Sequence, residues 1–113
     1  MKRRVLRMRK VDKYVFDAVK SGEKTVETRA ATDSFRRIEV GDILVFSCDG
    51  EKFEKEIKNI KIFRSVDEMV GKIDFKKIMP FISSVDEMKK VYDSFPNYRD
   101  KIKKLGLISF ELK

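Results

Sequence analysis

The chain has 113 residues, of which 42% are hydrophobic and 41% charged, and its 27 Lys and Arg against 19 Asp and Glu give a net charge of +8. That length suits one domain over residues 1–113, and no stretch reaches the roughly 20 consecutive apolar residues of a membrane-spanning helix. The absence of His and the single Cys exclude Cys–His and Ser–His–Asp catalysis and the usual zinc sites, so we expect no metal and no cofactor.

The first part of the chain is predicted to form a strand, a helix and a second strand. Apolar residues lie among basic ones at positions 5–8, which indicates a strand with one face in solvent. The helix that follows has Asp12 as its predicted N-cap and ends at Gly22, whose backbone can adopt the left-handed conformation. Residues 24–30 are predicted to form the next strand.

Two further strands and a bend are predicted in the middle of the chain. The apolar run Ile43–Cys48 is typical of a strand buried on both faces, and Asp49 with Gly50 is a strong turn signal before the next strand. In that strand the apolar side chains change phase near Lys58 and Asn59. The change predicts a bulge, which would let the sheet curl towards a barrel.

The region after the long strand is predicted to be helical. The pentamer SVDEM occurs twice, from Ser65 and from Ser84, and each copy has the Ser-x-x-Glu pattern of a capping box. The second helix should end at Pro96, a loop containing Asn97 and Tyr98 is predicted after it, and a last alternating strand begins at Gly106. Strands at both ends predict an α+β fold, a β-barrel with helices inserted between its strands.

The segment with the most chemical potential is residues 22–29, GEKTVETR. In an extended strand Thr25, Glu27 and Arg29 point to one face, with Lys24 beside the preceding glycine turn. The three charged side chains could form a surface ion pair, which stabilises by no more than about 1 kcal/mol. They could instead line a polar cleft in which Lys24 and Arg29 contact phosphate or base edges and Glu27 accepts hydrogen bonds from a base amino group. The pattern alone leaves both readings open.

The same residues, written GxKxxExR, resemble the signature of the ASCH family, whose barrel is related to the PUA domain. The resemblance continues in residues 40–46 (VGDILVF), similar to the family's Gly-Asp and strand element, and in residues 106–112 (GLISFEL), similar to its last strand. It covers most of the chain, with a looser match over residues 65–98, and suggests a small stand-alone prokaryotic member. It implies a PUA-like fold with an RNA- or nucleotide-facing cleft lined by Lys24, Glu27 and Arg29.

Our first hypothesis is a cytoplasmic binding module for RNA or a modified nucleoside or nucleotide, with no membrane partner and no known protein partner. The net positive charge favours an anionic ligand, although a solubilising charged surface would look the same. Arg36, Arg37 and the basic cluster from Arg99 to Lys104 are the predicted phosphate contacts. Tyr98 would either stack on a base, which contributes ~1–3 kcal/mol, or pack against the protein. Tyr92, on the apolar face of a predicted helix, is expected in the core.

The second hypothesis is an enzyme with Lys24 and Glu27 as catalytic residues. The resemblance implies an amidohydrolase for N(4)-acetylcytidine, but those enzymes have a threonine where this chain has Glu27, and use a distant glutamate. A catalytic Lys24 needs its pKa lowered from about 10.4, which burial or Arg29 would favour and Glu27 would oppose. Thr25 as nucleophile, a water activated by Glu27 and a metal-independent ribonuclease are further alternatives. A protein-interaction domain is the third hypothesis.

Overall fold

A computed structural model describes residues 1–113, which form five strands, six α-helices and one 3₁₀ helix (Lys10–Asp12). The strands are β1 (Arg3–Met8), β2 (Val26–Ala30), β3 (Ile43–Cys48), β4 (Glu51–Phe63) and β5 (Leu107–Leu112). The helices are α1 (Lys13–Ser21), α2 (Asp33–Arg36), α3 (Val66–Val70), α4 (Phe75–Ile78), α5 (Val85–Asp93) and α6 (Tyr98–Leu105). None of them is long and apolar enough to cross a membrane.

All five strands belong to one mixed sheet in the order β1-β3-β4-β5-β2. β1 pairs with β3 in parallel, and the other neighbours are antiparallel. The sheet curls into a half-barrel, which leaves β1 and β2 as its two unpaired edges. This confirms the predicted α+β, PUA-like barrel with inserted helices.

The curl of the sheet depends on β4, a strand of 13 residues. Its first half pairs with β3 and its second half with β5, and the register shifts between Ile57 and Asn59. The predicted bulge is therefore confirmed. Because a bulge bends a strand and increases its twist, it lets one strand serve both halves of the half-barrel.

The sheet separates two hydrophobic cores. The inner core lies between the sheet and α1 and includes Leu6, Phe16, Leu44, Phe46, Ile108 and Phe110. The outer core lies under the helical layer and includes Val26, Met69, Ile78, Met88, Tyr92 and Leu107. Successive residues of a strand point to opposite faces, so β5 contributes Leu107 to one core and Ile108 to the other.

Several predicted helix boundaries are confirmed. Gly22 ends α1 with φ at 86°, in the left-handed region. Ser65 and Ser84 cap α3 and α5 by accepting hydrogen bonds from Glu68 N and Glu87 N at 3.1 and 3.2 Å. Each Ser-x-x-Glu pattern therefore begins a helix, as predicted, through the Ser N-cap bond; the reciprocal bond from the Ser N–H to the Glu side chain does not form.

Three local predictions need correction. Residues 98–105 form α6 rather than a loop, because a left-handed Asn97 redirects the chain after Pro96 and a new helix can begin. Asp12 occupies the N-cap position of α1 but makes no capping bond, since its carboxylate binds Arg9 Nε at 2.9 Å. The strand predicted over residues 24–30 begins only at Val26.

Candidate functional site

A cavity of about 370 Å³ lies where the two edge strands of the half-barrel face each other. β1 contributes Arg7 and Met8, and β2 contributes Glu27, Thr28 and Arg29. The remaining walls come from the start of α1 and from the segments around α4, α5 and α6. We call this the seam cavity, since it occupies the gap between edge strands that no hydrogen bond joins.

Side chains replace the missing neighbour strand along the free edge of β2. Lys24 Nζ donates to Val26 O at 2.9 Å, and Glu27 Oε1 accepts from Thr28 N at 2.9 Å. At the far end Ala30 N donates to the Tyr98 hydroxyl at 3.3 Å. A buried backbone group without a partner is costly, so these bonds allow the edge strand to line a cavity.

Lys24 is a buried cation held between two elements. It is 4% exposed, and its ammonium donates to Val26 O in β2 and to Ile78 O at the end of α4. Burial lowers its pKa, and Arg29 lowers it further, while Glu27, with Oε1 3.7 Å from Nζ, opposes them. The sequence left this balance open, and the structure resolves it towards a lowered pKa.

Glu27 lines the seam cavity and has one unsatisfied carboxylate oxygen. The residue is 5% exposed, and its Oε1 is held by Thr28 N. Its Oε2 is buried and has no hydrogen-bond partner, and the nearest cation, Arg29, stands 3.7 Å away. Because an unsatisfied buried acceptor is unfavourable, this oxygen is suited to a donor supplied by a ligand.

Arg29 of β2 lies near Phe35, an aromatic ring that a residue of β1 also contacts. Its guanidinium sits 5.8 Å from the centre of the Phe35 ring, and Arg4 of β1 covers the same ring at 4.4 Å. Phe35 therefore lies near one cation from each edge strand, Arg4 of β1 and Arg29 of β2. The Arg29 side chain is 26% exposed, which leaves part of its guanidinium open to a ligand.

The rim of the seam cavity carries residues that the sequence did not indicate as site residues. Tyr14 and Phe81 are 51% and 39% exposed and meet edge to face, with ring centres 4.8 Å apart. Arg7 is exposed, lines the same cavity and forms no ion pair, whereas Arg9 is held by Asp12. The basic residues around positions 5–8 were visible in the sequence, but nothing there placed Arg7 in one cavity with Phe81.

Tyr92 and Tyr98, for which the sequence analysis predicted roles, both line the seam cavity. Tyr92 is 2% exposed and bonds the Thr28 hydroxyl, as expected for a core residue, yet it also lines the cavity wall. Burial raises its pKa. Tyr98 is half-buried, lines the cavity and stacks on Tyr92 with ring centres 6.4 Å apart.

The other predicted site residues lie outside the seam cavity. Arg36 is exposed and donates to Ala31 O at 2.7 Å and to Leu105 O at 2.9 Å, so it ties α2 to the end of α6. Arg37 and Arg99 are exposed and do not line the cavity.

Thr25 lines a second cavity, separate from Glu27. The two were expected on one face, but β2 begins after Thr25. That position removes Thr25 as a nucleophile for the seam cavity.

Comparisons with known proteins agree with this architecture. The family model of the ASCH domain matches residues 10–113. The crystal structure of hypothetical protein PH0355 is similar at 30% identity and a TM-score of 0.82, covering 100% of this chain and 98% of that one. The solution NMR structure of protein PF0455 from Pyrococcus furiosus is similar at 26% identity and a TM-score of 0.75, covering 97% and 96% of the two chains. No curated protein matches significantly. The chain belongs to the ASCH domain family.

Proposed function

We propose that this protein binds RNA or a modified nucleoside or nucleotide, with one base entering the seam cavity. The observation that carries the proposal concerns Glu27, which lines a cavity of about 370 Å³ and whose buried Oε2 lacks a hydrogen-bond donor. Cavities of this size, mostly apolar with a few polar groups, are typical of small-ligand sites. Membership of the ASCH family and the net charge of +8 support an RNA ligand.

The polar groups suit the edge of a nucleobase. Glu27 Oε2 would accept an N–H from an exocyclic amino group, as adenine and cytosine carry. The Arg29 guanidinium, 3.7 Å from that oxygen, would donate to the neighbouring acceptor of the base. Lys24 is committed to two backbone carbonyls, so its part is to hold the cavity wall and the charge of Glu27 in place.

The rim suits the rest of a nucleotide or a short single strand. The exposed rings of Tyr14 and Phe81 offer an apolar surface on which a neighbouring base can stack. Arg7, which forms no ion pair, stands on the same rim and would contact phosphate. Phosphate contacts release counterions, so the RNA affinity should fall as salt rises.

Glu27→Gln tests base recognition directly. The change keeps Oε1 as the acceptor for Thr28 N but replaces the free acceptor Oε2 by a donor. Affinity for adenosine, cytidine and a labelled single-stranded oligoribonucleotide should fall at least about tenfold, equal to 1.4 kcal/mol. Glu23→Gln removes the same charge from an exposed residue and is the control. Equal affinities for Glu27→Gln and the wild type would contradict the proposal.

Hydrolysis of an acetylated cytidine is the second candidate, and one observation favours it: burial lowers the pKa of Lys24, as a general base requires. The ammonium is nevertheless bonded to two carbonyls, and the only carboxylates in the seam cavity are Glu27 and Asp12. Incubation of the wild type with N(4)-acetylcytidine at high protein concentration decides the matter, since no released acetate rules out the hydrolase. Intact labelled RNA in a parallel incubation rules out the ribonuclease.

A cytoplasmic location is part of the proposal, and the single free, buried Cys48 is compatible with it. The third hypothesis, a protein-interaction domain, makes a different prediction. A stable complex that survives nuclease treatment would support it, whereas loss of all partners after nuclease treatment supports RNA binding.

A further inference from the structure

A second cavity of about 170 Å³ lies on the outer face of the sheet, at the bulge of β4. Register places Asn59 opposite Glu111 and Lys61 opposite Ser109, so these four side chains share one face of β4 and β5. Thr25, Val26, the segment between α3 and α4, and Lys77 of α4 complete the walls. We call this the outer cavity. It shares no lining residue with the seam cavity.

Three lysines of the outer cavity have no acidic partner. Lys61, Lys72 and Lys77 line it, and none of them lies within 4.0 Å of a carboxylate. The two acidic residues of the cavity are engaged elsewhere. Asp74 Oδ1 accepts from Lys76 N at 3.0 Å, and Glu111 pairs with Lys58 at 3.6 Å.

The neutral polar groups of the outer cavity are also mainly donors. Asn59 Oδ1 accepts from Ile60 N at 2.9 Å, which leaves the amide NH₂ as the free end of the side chain. The Thr25 hydroxyl is half-buried, and the Ser109 hydroxyl is buried and makes only a long 3.4 Å bond to Lys61 O. Together with the three ammonium groups, these side chains form a concave surface with many donors and few free acceptors.

We propose that the outer cavity binds a phosphate group. Phosphate carries only acceptor oxygens and up to two negative charges, which matches a donor-rich wall with three unpaired lysines. The bulge supports the assignment independently. Bulges often change the direction of a side chain at a functional site. Here the register shift ends at Asn59, which lines the outer cavity. The phosphate belongs either to an RNA backbone or to a free phosphorylated molecule.

Titration of ¹⁵N-labelled protein with inorganic pyrophosphate tests the site itself. The amide signals of Thr25, Asn59 and Ser109 should shift in a saturable manner. In Lys72→Gln/Lys77→Gln the affinity should fall at least tenfold, and the exposed positions of both side chains should leave the fold intact, as an unfolding curve verifies. Absence of saturable shifts, or equal titrations for the variant and the wild type, would overturn the proposal.

A matched control and an RNA arm identify the source of the phosphate. Lys103→Gln/Lys104→Gln removes the same charge from exposed positions on α6, outside both cavities, and should titrate like the wild type. An RNA backbone as ligand predicts that the slope of log affinity against log salt becomes shallower by about 1.4 in Lys72→Gln/Lys77→Gln. An unchanged slope together with lost pyrophosphate binding assigns the site to a free phosphorylated molecule. Neither readout involves Glu27, so this proposal and the base-binding proposal can fail separately.

Discussion

Replacing Lys24 by Met would test whether the motif lysine is chiefly a structural residue. The change leaves the carbonyls of Val26 and Ile78 without their donor and removes the neighbour of Glu27. Each buried group left unpaired costs about 1–3 kcal/mol, and loss of one member of a buried charge pair costs about 3–5 kcal/mol. Relief of the buried ammonium's desolvation offsets part of this. We expect a net loss of about 3 kcal/mol, or about 13 °C in Tm for a chain of this length.

The same variant should change how stability depends on pH. Because burial lowers the pKa of Lys24 in the folded protein, the unfolded chain holds more protons at this residue between the lowered value and about 10.4. The wild type should therefore gain stability from Lys24 as pH rises through that window, and Lys24→Met should lack this gain. Urea unfolding at several pH values between 7 and 10 measures the difference.

Lys20→Met is the control for both measurements, since it removes a lysine from the exposed face of α1. It should change stability by no more than about 0.5 kcal/mol. If the free energy of unfolding of Lys24→Met lies within about 0.5 kcal/mol of the wild-type value at pH 7, the two carbonyl bonds do not stabilise the fold. The lysine would then be available for a ligand.

Three further changes have defined outcomes. Gly106→Ala should lower the free energy of unfolding by at least about 3 kcal/mol, because its Cβ would stand 2.3 Å from Phe63 O at a φ of +81°. Gly22→Ala, whose Cβ would enter free space, should lower it by about 1 kcal/mol. Equal Tm losses for the two variants would refute this. Tyr92→Phe removes the bond to the Thr28 hydroxyl and should cost about 1 kcal/mol in urea unfolding, and no loss would show that the bond is neutral. Asp42 accepts hydrogen bonds from Glu39 N and Lys2 N, which lowers its pKa. Wild-type stability should therefore fall as pH drops below about 4, and the fall should be smaller in Asp42→Asn. Parallel acid-unfolding curves for the two proteins would count against this.

The sequence predicted local features far better than it predicted the walls of the site. Apolar alternation, the two capping boxes and the glycine at position 22 each act over a few residues, and the phase change near Asn59 correctly located the bulge. The short motif also placed Lys24, Glu27 and Arg29 together, because a turn and a strand suffice to do so.

What the sequence could not supply were contacts between distant segments. Phe81 and Tyr14 meet only after the helical layer folds against the start of α1. The bond from Arg36 to Leu105 O could not be foreseen either, because α6 had been expected as a loop. The environment of Glu27 Oε2 is likewise a result of tertiary packing, since no local pattern shows whether a carboxylate oxygen will meet a donor.

The side chains along the free edge of β2 also have a consequence for assembly. An exposed edge strand can pair with an identical strand of another molecule, which is a common route to aggregation. Here Lys24, Glu27 and Tyr98 occupy the backbone groups that such a strand would need. Substitutions in the motif would therefore affect solubility as well as ligand binding. Low recovery of a motif variant from cells can arise from an opened sheet edge even when its folded form still binds.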